Sequence, residues 1–476
     1  MRSFATFLGA ALALLGPAAV RADVQPHPLF SDGAVLQQGM PINVWGSADD
    51  GEMVTVSIAG HEAKATAKDG RFQVQLPPLK AGGPFDLVIQ GKNTVTVRNV
   101  LVGEVWIASG QSNMQWSVAQ SEEPETIAAA SANPRIRLFT VSRRATPEPQ
   151  QTVPVVPDRQ EGMWLECGPK TVLNFSAVAY HFGRSLASAL DVPIGLISTN
   201  YGGTPAEAWT SRQTLEGHPG LKADFASLPA TEKPNSPGGL YNAMIHPLLG
   251  YGIRGAIWYQ GESNASRAYQ YRTLFPAMIE DWRTHWGQGD FPFLLVQLAP
   301  FTAIKPEPGE SDWAELREAQ LLATKVLKNV GMAVITDLGD ENDIHPKPKG
   351  PVGERLALCA RAIAYGEDIT YSGPLYRKME VRGNRIVLSF DHVDGGLEAR
   401  GGELKGFTIC GEDRKFVNAY AEIKGETIEV YSPDVPKPVA VRFGWANYPV
   451  VNLYNKAGLP ASPFRTDDFP GITQPK

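Results

Sequence analysis

The chain has 476 residues, 43% hydrophobic and 20% charged, with a formal net charge of −6. Such a composition predicts a globular protein with a large core and enough length for two to four domains. A mild acidic excess without a basic run argues against nucleic acid as a partner, and no stretch is long and apolar enough for a transmembrane helix.

The first residues, "MRSFATFLGAALALLGPAAVRA", combine Arg2, a short apolar run over 4–15 and small residues at a cleavage site. They predict a secretory signal peptide over 1–22 and an exported protein, periplasmic or extracellular. From 23 to 100 the chain alternates apolar and polar residues between Gly, Asp and Asn turns, as in "MPINVWGSADDGEMVTVSIAG". This pattern predicts an N-terminal β-sandwich. Between 101 and 370, apolar strands such as "EVWIASG", "PIGLISTNYGG", "IRGAIWYQGES", "FPFLLVQLAP" and "GMAVITDLGD" alternate with helical stretches. That alternation predicts an α/β domain whose parallel sheet is covered on both faces. From 371 to 476 the helical period is lost, and segments such as "GNRIVLSFDHV" and "PVAVRFGWANYPVVNLYN" predict a C-terminal β-rich domain. The three cysteines, Cys167, Cys359 and Cys410, do not say by their spacing whether any two pair. No metal-ligand cluster or cofactor motif is seen, so no cofactor is expected.

In open parallel sheets, chemistry gathers at the carboxyl ends of the strands. The segment "GEVWIASGQSNMQW" carries a buried-looking strand straight into Gly-Gln-Ser-Asn. Ser112 is either a helix-capping residue or a nucleophile held at the strand end. The GxSxG elbow of α/β-hydrolases is absent around it. Among eight histidines, His345 stands out: "TDLGDENDIHPKPKG" follows an apolar strand, is rich in carboxylates, and uses prolines to hold an extended loop. Asp343 is expected to orient it, because residues two apart in an extended segment share a side; Glu341 and Asp340 are the alternatives. Gly202 and Gly203 in "NYGGTPAEAW" let backbone N–H groups approach a ligand. Gln260, Glu262 and Asn264 in "WYQGESN" offer side chains to an oxyanion or a substrate.

Together, "GQSNM", "YGGTPAEAW", "YNAMI", "WYQGESN", "DIHP" and "GWANYPVVNLYN" resemble the sialate O-acetylesterase group of carbohydrate esterases, within the SGNH hydrolase superfamily. The resemblance runs in order over nearly the whole chain after residue 22. It implies a flavodoxin-like three-layer α/β/α catalytic domain. It also implies Ser112 as nucleophile, His345 as base, and an oxyanion hole from the N–H groups of Ser112 and Gly203 with the side chain of Gln260. The chain departs from the superfamily pattern in two places. Gln260 stands where an asparagine is usual, and Asn342 stands three residues before the histidine, where an aspartate is usual.

The expected function is metal-independent hydrolysis of sugar acetyl esters through an acetyl-serine. The substrate would be an O-acetylated sialic acid or an acetylated hemicellulose such as xylan or xyloglucan. Trp116, Trp209, Trp258 and Tyr259 lie near the motifs and are read either as sugar-stacking rings or as sheet-edge core aromatics. Arg143, Arg144, Arg212 and Lys347 are the basic residues available to an acidic sugar. The rival reading is a carbohydrate-binding protein with an inactive central domain.

Overall fold

One strand, Thr94–Gly110, joins the first two parts of the molecule. The computed structural model describes residues 23–229 and 231–475; the expected signal peptide lies outside them. The first half of this strand pairs antiparallel with Gly82–Gln90, inside the N-terminal sheet. Its second half pairs parallel with Ile194–Asn200 and Gly255–Tyr259, inside the central sheet. The expected division at 100 and 101 therefore falls within a continuous strand. Burial changes there too, from alternating around Thr94–Arg98 to complete from Val100 onward.

The N-terminal part is built of β-strands, several of which bury one face. Along Arg71–Leu76, Phe72, Val74 and Leu76 are buried while Arg71, Gln73 and Gln75 are exposed. These side chains meet Val44, Val54, Val56, Ile58, Leu87 and Ile89.

The central sheet runs, edge to edge, Trp164–Cys167, Asn133–Thr140, Ile194–Asn200, Thr94–Gly110, Gly255–Tyr259, Phe293–Val296 and Val330–Ala333. All neighbours are parallel except Trp164–Cys167, which is antiparallel to its partner. Ile194–Asn200, Gly255–Tyr259, Phe293–Val296 and Val330–Ala333 bury both faces, which is why they read as unbroken apolar runs. Trp106, Ala108, Ile257, Tyr259, Leu294 and Val296 face the helices Ala177–Leu190 and Gly350–Tyr365. Ile107, Trp258, Phe293 and Leu295 face Ala268–Trp286 and Asp312–Val326. The result is three layers, α/β/α.

The C-terminal part is β-rich, with Ile386, Leu388, Ile409, Val430, Val441 and Phe443 at its centre. Arg317, fully buried in the helix Asp312–Val326, ties it to the central domain. Its guanidinium donates to the carbonyls of Leu298 (2.8 Å) and Ala299 (3.1 Å) on one side and of Ala446 (2.7 Å) and Asn447 (2.9 Å) on the other. Cys167, Cys359 and Cys410 are buried and unpaired. Among the described residues no helix is long and apolar enough to cross a membrane.

Candidate active site

The register of the central sheet brings the motifs together. Gly110 is the Cα partner of Asn200 on one side and of Tyr259 on the other. The loops that follow, "QSN", "YGG" and "QGESN", therefore leave three adjacent strands at one level. The chain reverses direction across the sheet here, the arrangement that opens a crevice at the carboxyl ends. Gly110 is required for this closeness. Its φ is +137°, and a Cβ on it would lie 2.1 Å from the carbonyl oxygen of Tyr259.

Ser112 opens the short helix Ser112–Gln115. Gln111 fixes this turn: its N–H donates to the Tyr259 carbonyl at 3.0 Å, and its Oε1 accepts from the N–H of Ser263 at 3.2 Å. At the other end of the helix, Gln115 Oε1 accepts from the N–H of Gly202 at 2.7 Å. A Cβ on Gly202 would lie 3.4 Å from the Cβ of Ser112. Gly203 follows in the left-handed region, at φ +71°, with open space on its side-chain face. Its N–H has no acceptor among the described residues.

The loop after Val330–Ala333 delivers His345 to the same place. Its ring stacks on that of Trp116, with centroids 4.3 Å apart and planes 11° from parallel. Asp343 approaches through a turn: its Oδ1 accepts from the His345 N–H at 2.8 Å and stands 3.4 Å from Nδ1. The segment is thus an Asx-type turn, not the extended stretch the sequence predicts, yet it sets the carboxylate beside the imidazole. Asp340 Oδ1 instead accepts from the N–H groups of Asn342 and Asp343, and Glu341 Oε1 from that of Ile304. Nε2 of His345 is buried and unpartnered among the described residues, so no Ser112–His345 hydrogen bond is made in this state. Burial holds the His345 pKa below its ordinary value, Asp343 opposes that, and the Lys349 ammonium adds to it.

Other expected site residues turn out to shape the loops. Gln260 is fully buried; its amide donates to Asn264 Oδ1 (2.6 Å) and the Thr204 carbonyl (3.3 Å), and its Oε1 accepts from the Tyr271 hydroxyl. It has no hydrogen left to offer an oxyanion in this arrangement. Asn264 is equally enclosed, accepting from the N–H of Ala206 and donating to Glu207. These bonds fasten the loop that carries Gly203 to the "QGESN" loop. Trp209 is fully buried in the turn Ala206–Trp209, where its Nε1 donates to Thr204 and its ring meets Trp258 edge-on. Trp258 and Tyr259 lie in the sheet core. Of the aromatic candidates, Trp116 alone is half-buried beside the site, with one face taken by His345.

Glu262 is half-buried, and with it come two residues that sequence reasoning passed over. Asn113 and Lys349 are buried, and Asn113 joins Lys349 to Glu262. The only sequence signal was a lysine set between prolines and a helix start in "HPKPKG".

Beside the helix Ser112–Gln115 opens a cavity of about 460 Å³, lined by polar groups that include Gln115, Gln120, Asn174 and Arg143. Arg144 is bonded to Gln150 and Arg212 to Glu216, whereas Arg143 is exposed at this cavity. Among the described residues no group of three or more His, Cys, Asp or Glu is placed to hold a metal ion.

Known proteins share this architecture. A model of the carbohydrate esterase family of sialic acid-specific acetylesterases matches residues 102–360. The sialate O-acetylesterases of Pongo abelii and Homo sapiens are each 33% identical to the chain over 471 residues, covering 90% of both proteins. The crystal structure of XAC1771, a carbohydrate acetylesterase from Xanthomonas citri, superposes with a TM-score of 0.87 at 41% identity, over 94% of this chain and 100% of that one. The chain is thus a carboxylic ester hydrolase and belongs to the sialic acid-specific acetylesterase family of carbohydrate esterases.

Proposed function

We propose that the protein removes acetyl groups from O-acetylated sugars by a serine mechanism. Ser112 Oγ attacks the acetyl carbonyl while Nε2 of His345 takes its proton. Asp343 holds the imidazole and favours its protonated form. The N–H groups of Ser112 and Gly203 receive the oxyanion. His345 then gives its proton to the departing sugar hydroxyl, leaving an acetyl-serine. A water molecule deprotonated by His345 releases acetate and restores the enzyme.

One observation supports this reading: the matched strand ends at Gly110 and Asn200 set Ser112 beside Gly202, next to Gly203, and the Trp116 ring that follows the same short helix stacks on His345. The adjoining cavity supports a sugar as substrate, and Arg143 on its wall favours an acidic one such as O-acetylated sialic acid. Export is proposed with it, on the opening 22 residues. The test is acetate release from acetylated sialosides and from acetylated xyloglucan oligosaccharides, by wild type and by Ser112→Ala. Preference for the sialoside supports the acidic-sugar reading. Preference for the neutral oligosaccharide would replace that substrate and leave the mechanism standing.

A further inference from the structure

Beneath the nucleophile turn lies a chain of polar groups, Asn113 and Lys349 buried and Glu262 half-buried, that the mechanism above does not use. Asn113, the residue after Ser112, has its whole amide engaged. Nδ2 donates to Glu262 Oε1 at 2.6 Å and to the Ile344 carbonyl at 3.0 Å, and Oδ1 accepts from Lys349 Nζ at 2.5 Å. The amide orientation is fixed by chemistry, since an ammonium only donates and a peptide carbonyl only accepts. Lys349 is 1% exposed, and lysine is rarely this enclosed without a partner. The Tyr259 ring lies under its ammonium at 5.4 Å.

These contacts link three segments far apart in the chain. Ile344 immediately precedes His345, so the bond from Asn113 pins the histidine loop to the residue beside Ser112. Lys349 anchors the same loop four residues beyond His345, just before the helix Gly350–Tyr365.

We propose that Lys349 is a positioning residue of the esterase, forming with Asn113 and Glu262 a clamp that holds the histidine loop on the nucleophile turn. The proposal rests on the assignment of Ser112 and His345 above.

The clamp also carries charge. The groups that act on Lys349 are Glu262, Asp343 and the Tyr259 ring; those that act on His345 are Asp343, Lys349 and the Trp116 ring. Burial brings Lys349 down to about 7 against the pull of Glu262 and Asp343. Burial raises Glu262, with Asn113 and Lys349 opposing. A cation at Lys349 disfavours a second one on His345. Removing it therefore raises the pKa of the base, and the acidic limb of the kcat/KM profile moves to higher pH.

Two variants separate anchor from charge. Lys349→Met removes both, and Lys349→Gln keeps a donor for Asn113 without the charge. With p-nitrophenyl acetate, Lys349→Met should lose about 10- to 100-fold in kcat through misplacement of the base, at little cost in KM. Lys349→Gln should keep more of kcat. Both should move the acidic limb up by about half a pH unit. A folded Lys349→Met enzyme within about threefold of wild-type kcat would overturn the clamp. A limb that stays or moves down in Lys349→Gln would overturn the proposal as well, and that variant decides alone if Lys349→Met does not fold. The His345 imidazole is also titrated by NMR in Ser112→Ala with and without Lys349→Gln, where an upward shift is expected and an unchanged value refutes it. That reading does not depend on turnover. Activity surviving in Ser112→Ala would overturn the nucleophile assignment instead, so the two failures are distinct.

Discussion

Replacing Asp343 by asparagine keeps an oxygen to accept the His345 N–H and removes the charge. The structure sets the size of the effect. The carboxylate oxygen stands 3.4 Å from Nδ1, and the two side chains are 43% and 23% exposed. At that distance a charge pair is worth roughly 1 kcal/mol in water and roughly 5 kcal/mol at an effective dielectric of about 20. A half-exposed pair falls between, at about 2–3 kcal/mol, which is roughly a 30- to 150-fold loss of kcat. This is less than the roughly 10⁴-fold seen when a fully enclosed triad aspartate is replaced. Because Asp343 raises the pKa of His345, its loss lowers that pKa, and the acidic limb moves to lower pH. Asp340→Asn and Glu341→Gln retain acceptors for the backbone groups they serve and should stay within a few-fold of wild type. The assay is kcat against pH with an acetylated sugar. A near-normal Asp343→Asn beside a collapsed Glu341→Gln or Asp340→Asn would refute the reasoning.

Three further outcomes are expected. Since burial, the largest influence on it, lowers His345, the wild-type acidic limb of kcat/KM should lie below the ordinary histidine value of 6.5; a limb above it would contradict the local electrostatics. Arg317→Leu strips the buried Leu298 carbonyl and the half-buried Ala446 carbonyl of their donor, a cost of about 2–4 kcal/mol read as a lower melting temperature, and an unchanged melt would show that the C-terminal domain does not depend on this contact. Activity should persist in EDTA, because the proposed chemistry needs no ion; loss on chelation, restored by zinc or calcium, would reveal a metal the mechanism omits.

How far the sequence reveals this molecule depends on whether the signal is local. "PIGLISTN" reads as a buried strand because both faces of Ile194–Asn200 are covered, and one-sided burial makes Arg71–Leu76 alternate. The boundary at residue 100 is different. The pattern changes there because burial passes from one face to two along a single strand, not because a linker intervenes. Of the residues proposed for the site, Ser112, Gly203 and His345 stand out in the sequence through strand ends, a glycine pair and a carboxylate-rich loop. Asp343 reaches His345 by a turn that period-two reasoning does not anticipate. Trp209 looks like a sugar platform beside its motif, but its short turn points it into the core. The proposed Lys349 clamp is the least legible part, since its bond to Asn113 spans 236 residues and that from Asn113 to Glu262 spans 149. Nothing in either neighbourhood announces the other.

The central claim is that an acetyl group passes through Ser112. It is tested most directly by acid-quenching the enzyme during turnover of an acetylated sugar and mapping the protein by mass spectrometry. The account predicts one acetyl group on the peptide that holds Ser112, increased in His345→Ala or Asp343→Asn if deacylation is the slower step, and absent from Ser112→Ala. An acetyl group on another residue, or full turnover by Ser112→Ala with no acetylated peptide, would contradict it.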